Sequence, residues 1–320
     1  MQPLPDDLRG RPFSRAEARA VGLTSRQLDG RRFVRVFPRV YRPADHEMTD
    51  RDWVLAARLT LPPTAHLTGI SRLQQLGLDF GPRRPIHFVV QTDLHLATNG
   101  IFLHRTKQLP PVDAGGVCIA AAFIAYCARA RAIDAIKVGD WLVHHRHLSA
   151  EDVRTLALSA LWRDGAHEAV WVLDHLDGRS RSLMESETRA VLCFSGLPTP
   201  EVNVPVDVGE DIEVIADLLY RIWRLVVEYE GVQHQEDRAQ YNADLDRYAL
   251  LRGAGIPYVQ VTKEKLQHSR TLVGEIYRAL LALGYDGPAP SFGEHWRQLF
   301  LPLSLAVGPR RARITGRAVS

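Results

Sequence analysis

The alternation of apolar and polar positions changes period along the chain, and each change marks a different kind of element. "FSRAEARAVGLTSRQLDG" opens with Ser14 at an N-cap position and Glu17 three residues on, a capping box that predicts a short helix ended at Gly22. Thr24 starts a second short helix through Asp29, and "RRFVRVFPRVYRP" then alternates Phe33 and Arg35 with Val34 and Val36, as a small β-wing does. From Thr49 to about Gly165 the pattern predicts helices near Asp50 to Leu59, Gly69 to Leu76, Ile119 to Ala130 and Ile133 to His144, with strands at "PIHFVV" and "GIFLHRT".

The polar, glycine-containing stretch "DHLDGRS" reads as a linker, after which the periods change again. "SLMESETRAVLCFSGLP" carries an apolar stripe through Leu183, Ala190, Val191 and Phe194 and predicts a helix stopped by Gly196 and Pro198. "EVNVPVDV", "DIEVIADLLY" and "WRLVVEYE" are strand-like, "EDRAQYNADLDRYALLRGAG" is an acidic amphipathic helix, "IPYVQVT" is a β-branched strand, and Lys263 to Leu283 closes the module as a helix. A strand reached through a helical crossover normally runs parallel to the one before it, so the order α, β, β, β, α, β, α predicts a mixed sheet. The expected fold class is α/β (α+β). The expected organisation is a winged-helix module over 1–45, a small α/β domain over 46–170, a sheet flanked by helices over 180–288 and a basic tail over 289–320.

Composition adds two constraints. At 320 residues and 46% hydrophobic the chain can bury more than one core, which excludes a largely disordered protein. Net charge is only +3, but the first 42 residues hold ten arginines against four acids, a local excess that suits a polyanion. In a winged helix the second helix lies in a DNA major groove and the wing touches phosphate, which puts Arg26 on the recognition helix and Arg31, Arg32, Arg35 and Arg39 around the wing. The alternative is a structural cap with solvated arginines. The three scattered cysteines suggest neither disulfides nor a zinc site, and the start of the chain lacks a signal pattern. No apolar run reaches the ~18 residues of a membrane helix. The expectation is a soluble, cytoplasmic protein with no membrane partner. "HHRH" (His144, His145 and His147) cannot present three imidazoles to one metal on a helix, because only i, i+3 or i+4 residues share a face.

The chemistry is carried by "VVEYEGVQH". If the hairpin turn is centred between Ile222 and Trp223, facing residues sum to 445, so Asp217 lies opposite Glu228 and Ile215 opposite Glu230. The period of two then gathers Val214, Ala216, Leu218, Tyr220, Leu225, Val227 and Tyr229 on a core face and Asp217, Glu228 and Glu230 on the other. Like charges opposed across strands repel, and a divalent cation would relieve them. The alternative is a hydrated acidic face, against which Ile215, Leu219 and Val226 on the same side argue for partial burial.

From Glu185 to about Leu266, a third of the chain, the sequence resembles the PD-(D/E)XK nuclease superfamily, in particular domains similar to very-short-patch-repair endonucleases. The matching segments are "SLME" with Glu185, "ADLLY" with Asp217, "EYEGVQH" with Glu228, Glu230, Gly231 and His234, and "DLDR" with Asp244 and Arg247. The resemblance implies a restriction-endonuclease-like sheet, with Asp217 and Glu228 as ligands of Mg²⁺ or Mn²⁺ and Glu185 as a further or water-mediated ligand. It implies His234 as an acid, a base or an orienter of water. Asp244 and Arg247 would then be an i, i+3 pair that fixes the helix, and Glu185 has a local alternative partner in Arg189 at i+4. Two positions depart from the pattern: Glu230 stands where the superfamily has its lysine, and Gln260 where those domains commonly have arginine.

The N-terminal half resembles the antitoxin side of abortive-infection type IV toxin–antitoxin systems through its wing segment, "LTGISRLQQLGL", "IHFVV" and "GIFLHRT". That likeness implies operator binding and a toxin or defence-system partner. Together the two resemblances lead to a metal-dependent DNA endonuclease aimed by a winged helix. The rival is a DNA-binding regulator whose nuclease-like domain does not cut, and an RNA substrate stays open. The tail "GPRRARITGR" would add electrostatic affinity for nucleic acid.

Overall fold

A computed structural model describes residues 5–94, 96–209, 212–230 and 247–307. His234, Gly231, Asp244, Tyr241, Leu245 and the basic tail from Gly308 onward lie outside those residues. The fold is mixed α/β, and the chain divides into two compact units, 1–123 and 124–320. The division falls inside the 46–170 stretch.

The first unit begins with α1 (Asp6–Arg9), β1 (Phe13–Ser14), α2 (Arg15–Ala20), α3 (Ser25–Leu28), β2 (Phe33–Phe37) and β3 (Val40–Pro43). The expected capping box of Ser14 with Glu17 opens α2, and Thr24, the expected N-cap, opens α3 with Gln27 completing a second box. The β2–β3 hairpin turns on Pro38 and Arg39, and β1 adds to β3 to give a sheet in the order β1-β3-β2. Leu8, Phe13, Ala18, Leu23, Leu28, Phe33 and Tyr41 form its core, which joins both helices to the sheet and leaves Arg26, Arg31, Arg32, Arg35 and Arg39 exposed. Next come α4 (Asp50–Thr60), β4 (His66–Leu67), α5 (Gly69–Gln74), β5 (Ile86–Val90) and β6 (Ile101–Arg105), with a sheet ordered β4-β5-β6 in which β5 and β6 are parallel. A second core of Phe37, Val40, Ala56, Ala57, Leu67, Ile86 and Phe88 runs from the wing into this region without a break.

The next elements are α6 (Ile119–Cys127), α7 (Ala132–His144), α8 (Ala150–Ser159), α9 (Ala166–Leu173) and α10 (Leu183–Phe194). At the end of α7, His144 Nδ1 meets the Gly178 carbonyl and His145 Nδ1 the Trp141 carbonyl, so these rings close the helix terminus. Helices α7 and α10 are tied by a buried pair. Arg189 Nη2 lies 2.8 Å from Asp140 Oδ2 and also donates to the His175 carbonyl, while Asp177 N–H donates to Asp140 Oδ1. Asp140 is fully buried, and burial raises its pKa against the opposing pull of Arg189.

After α10 come β7 (Glu201–Gly209), β8 (Ile212–Tyr220), β9 (Leu225–Tyr229), the described part of helix α11 at 247–253, β10 (Tyr258–Val261), α12 (Lys263–Gln267), α13 (Ser269–Ala282), α14 (Glu294–Phe300) and α15 (Leu303–Ala306). The sheet order is β10-β9-β8-β7, with β10 parallel to β9 and the other pairs antiparallel, which is the expected mixed sheet. Gly196 takes φ 84° just beyond α10, a left-handed position that suits glycine and ends the helix where the sequence predicts. Among the described residues no helix is long and apolar enough to cross a membrane.

Candidate active site

The site is built on the β8–β9 hairpin. Leu218 pairs with Val227, Leu219 with Val226 and Tyr220 with Leu225, each pair summing to 445, and a short turn at Arg221–Trp223 with Arg224 left-handed closes the hairpin. Asp217 and Glu228 therefore share a face just past the last ladder pair. There each carboxylate takes over a strand hydrogen bond. Asp217 N–H donates to Glu228 Oε1 at 3.2 Å, and Tyr229 N–H donates to Asp217 Oδ2 at 2.9 Å. The strands are held by side-chain oxygens where they stop pairing directly, and β9 continues with β10 through the bond from Glu230 N–H to the Val261 carbonyl.

The acidic face is more covered than the hairpin pattern alone implies. Tyr248 and Leu251 of α11 join Leu219 and Val226 in a buried cluster, and Glu228 has no exposed surface. Ile215 is exposed, and Asp217 and Glu230 are half-buried, so the face opens only toward that end. Burial, then the nearby Glu185 charge, pushes Asp217 up to about 6. Burial, then Asp217, pushes Glu228 up to about 8, with Arg247 pulling the other way.

Among the described residues Arg247 brings a cation to this pair. Its Nη2 lies 2.5 Å from Glu228 Oε2, although among the described residues that oxygen has no partner of good hydrogen-bond geometry. Arg247 thus reaches the candidate site itself. Glu185 comes to the site from the first turn of α10, where Ser182 caps the helix. Its Oε2 accepts from Arg181 N–H at 2.8 Å and from the Asn203 amide at 2.7 Å. Its i+4 neighbour Arg189 pairs with Asp140 instead, where the cation offsets a fully buried carboxylate. Gln260 of β10 lies opposite Glu228 in the parallel register.

No protein-family model matches the chain. It is similar to two uncharacterised proteins of Mycobacterium tuberculosis, from strains CDC 1551 and H37Rv, each 33% identical over 106 residues, or 33% of this chain. The chain spans 39% of the length of those relatives. Their descriptions give no activity, so chemistry rests on the site.

Whether the residues fit a divalent metal can be judged from their atoms. The available groups are hard oxygens, and the buried Asn203 Oδ1 and Glu228 Oε2 lack hydrogen-bond partners among the described residues. Two mutually repelling carboxylates with raised pKa values are the electrostatic state that a divalent cation relieves. Among the described residues no group of three or more His, Cys, Asp or Glu is arranged to hold a metal. Asp217 and Glu228 are the residues that would hold such an ion, since Mg²⁺ is commonly bound through one or two carboxylates. Glu185, bonded to Asn203, acts on Asp217 through its charge.

Asn203 was not among the expected site residues, and Arg247 was expected to pair with Asp244 rather than to reach Glu228. Val202 pairs with Leu218 and Val204 with Ala216, so Asn203 occupies the position opposite Asp217. An amide interrupting "EVNVPVDV" was the available signal. For Arg247 the local spacing points to Asp244, and nothing in sequence separation points to Glu228.

Proposed function

We propose that the chain is a divalent-metal-dependent endonuclease whose Asp217 and Glu228 hold the metal and whose N-terminal module binds duplex DNA. The facing carboxylates at the mouth of the hairpin, Glu228 buried and Asp217 half-buried, carry this reading, since opposed acids in a largely covered position need a function that offsets their repulsion. A bound Mg²⁺ or Mn²⁺ would neutralise charge on the phosphodiester and acidify a water that attacks phosphorus. The chain's own part is to fix Asp217 and Glu228 through each other's strand N–H groups, so that neither must reorganise on binding. Glu185, tied to Asn203, places a third carboxyl group near them. Arg247 offers the positive charge that residue 230 does not, since Glu230 stands at the end of β9. His234 receives no step, because it lies outside the described residues.

Purified protein is expected to nick or linearise plasmid in Mg²⁺ or Mn²⁺ and to stop when the metal is chelated. Intact plasmid under all metal conditions would reject the reading. The arginines around the hairpin give a separate prediction. Arg31→Ala combined with Arg35→Ala should weaken duplex binding about tenfold near physiological salt and flatten the dependence of log affinity on log salt by about two. Fluorescence anisotropy across a salt series measures both, and an unchanged slope would remove these residues from the interface.

Two observations favour a second reading, a regulator or antitoxin-like protein that binds DNA without cutting. Glu230 at the lysine position and Arg247 on Glu228 would then be the marks of a retired site. Sequence-specific binding without metal-dependent nicking is its outcome. A cytoplasmic location and a toxin or defence-system partner belong to the same proposal.

A further inference from the structure

The first unit contains a cavity of about 800 Å³, within the range of small-molecule sites, between α4, α5 and the segment leading into β5. Its lining holds five arginines, Arg51, Arg58, Arg72, Arg83 and Arg84, against one acid, Asp50. The charges are unevenly compensated. Arg83 bridges Asp50 and Asp79, and Arg72 donates from Nη2 to both carboxylate oxygens of Asp113, at 3.0 and 2.8 Å. Arg58 is bonded to the carbonyl of Gly115, whose lack of a side chain leaves room for the Arg72 guanidinium. Arg58 and Arg72 are thus two guanidiniums close together and partly removed from water with one carboxylate between them. Burial, then Arg72, lowers the Arg58 pKa, and Asp113 only partly opposes this.

The cavity also presents a flat surface. The Arg84 guanidinium lies 3.4 Å from the centre of the Trp53 ring, and Trp53 is held edge-on against Phe37. Leu76, Leu78 and Ile86 supply an apolar wall. A planar cation stacked on tryptophan, beside surplus positive charge and apolar surface, matches a ligand with a planar aromatic part and several negative charges.

We propose that this cavity binds a phosphorylated nucleotide, with the base stacked at Arg84 and Trp53 and the phosphates on Arg51 and Arg58. The site lies in the first unit and does not depend on the carboxylate site of the second. Calorimetric titration of the full chain with ATP, without divalent metal, is the test. Saturable binding to one site is expected. Arg51→Gln and Arg84→Gln change exposed side chains and should each weaken binding about tenfold, the scale of one charge-assisted contact. Trp53→Phe should weaken ATP more than inorganic triphosphate.

Undetectable ATP binding, equal affinity for ATP and inorganic triphosphate, or affinity unchanged in both arginine variants would overturn the assignment. A 5′-phosphorylated trinucleotide distinguishes the source: tighter binding than ATP assigns the cavity to a strand end, weaker binding to a free nucleotide. Asp217→Asn serves as the control and should leave ATP affinity unaltered, so failure of the nuclease reading and failure of this one are distinguishable.

Discussion

Asp217→Asn is expected to reduce metal-dependent plasmid cleavage by about a thousandfold, or ~4 kcal/mol of transition-state stabilisation. The substitution is informative because of the geometry around Asp217. Its Oδ2 accepts from Tyr229 N–H at 2.9 Å, and an asparagine carbonyl oxygen can accept the same bond, so the mouth of the hairpin keeps its shape. What is lost is one of the two negative charges available to a cation. Duplex binding through the N-terminal module should persist, since Arg26, Arg31, Arg32, Arg35 and Arg39 lie in the other unit. Cleavage and anisotropy measured on one preparation separate the two functions. Cleavage at the wild-type rate would mean that another site does the cutting, and loss of cleavage together with loss of fold would show in the thermal midpoint.

The sequence carried the local features of this fold because each rests on a short-range rule. Ser14 with Glu17 is a capping box four residues long and Thr24 an N-cap, and both open their helices. The β8–β9 register was legible because a turn centred between Ile222 and Trp223 fixes every facing pair along both strands. The parallel placement of β10 followed from the helix that precedes it. What escaped are contacts between groups that the fold brings together from distant positions. Arg247 reaches Glu228, Asn203 reaches Glu185, and Arg189 turns from its helical neighbour to Asp140, 49 residues away. In each case a buried carboxylate recruits a partner, and the burial that decides the matter exists only after packing. The arginines of the first-unit cavity follow the same logic, coming from two helices and a loop that share no sequence period.

Glu228→Gln should stabilise the protein while abolishing cleavage, and the opposite signs come from the same burial. Glu228 has no exposed surface, and burial together with Asp217 pushes its pKa up to about 8 from an ordinary 4.5. A carboxyl whose pKa is higher in the folded chain than in the unfolded one contributes most to stability below the unfolded value, where it is protonated in both states. That contribution is lost progressively as pH rises through about 8, because the folded chain resists an ionisation that the unfolded chain accepts. Glutamine never ionises, so the variant escapes the loss while keeping an oxygen for Asp217 N–H. The difference in favour of the variant should be small near pH 5 and grow to the order of 1–3 kcal/mol by pH 8, the scale of a buried polar group without full compensation. Urea unfolding at the two pH values measures it. Mg²⁺ should narrow the difference by stabilising only the wild type, and it should bind the wild type more tightly as pH rises toward 8, since it competes with the proton on the carboxylate pair. A variant less stable than wild type at pH 8 would mean that the ion pair with Arg247 outweighs the burial of Glu228. The carboxylate would then be structural, and the case for a metal at the hairpin would fall with it.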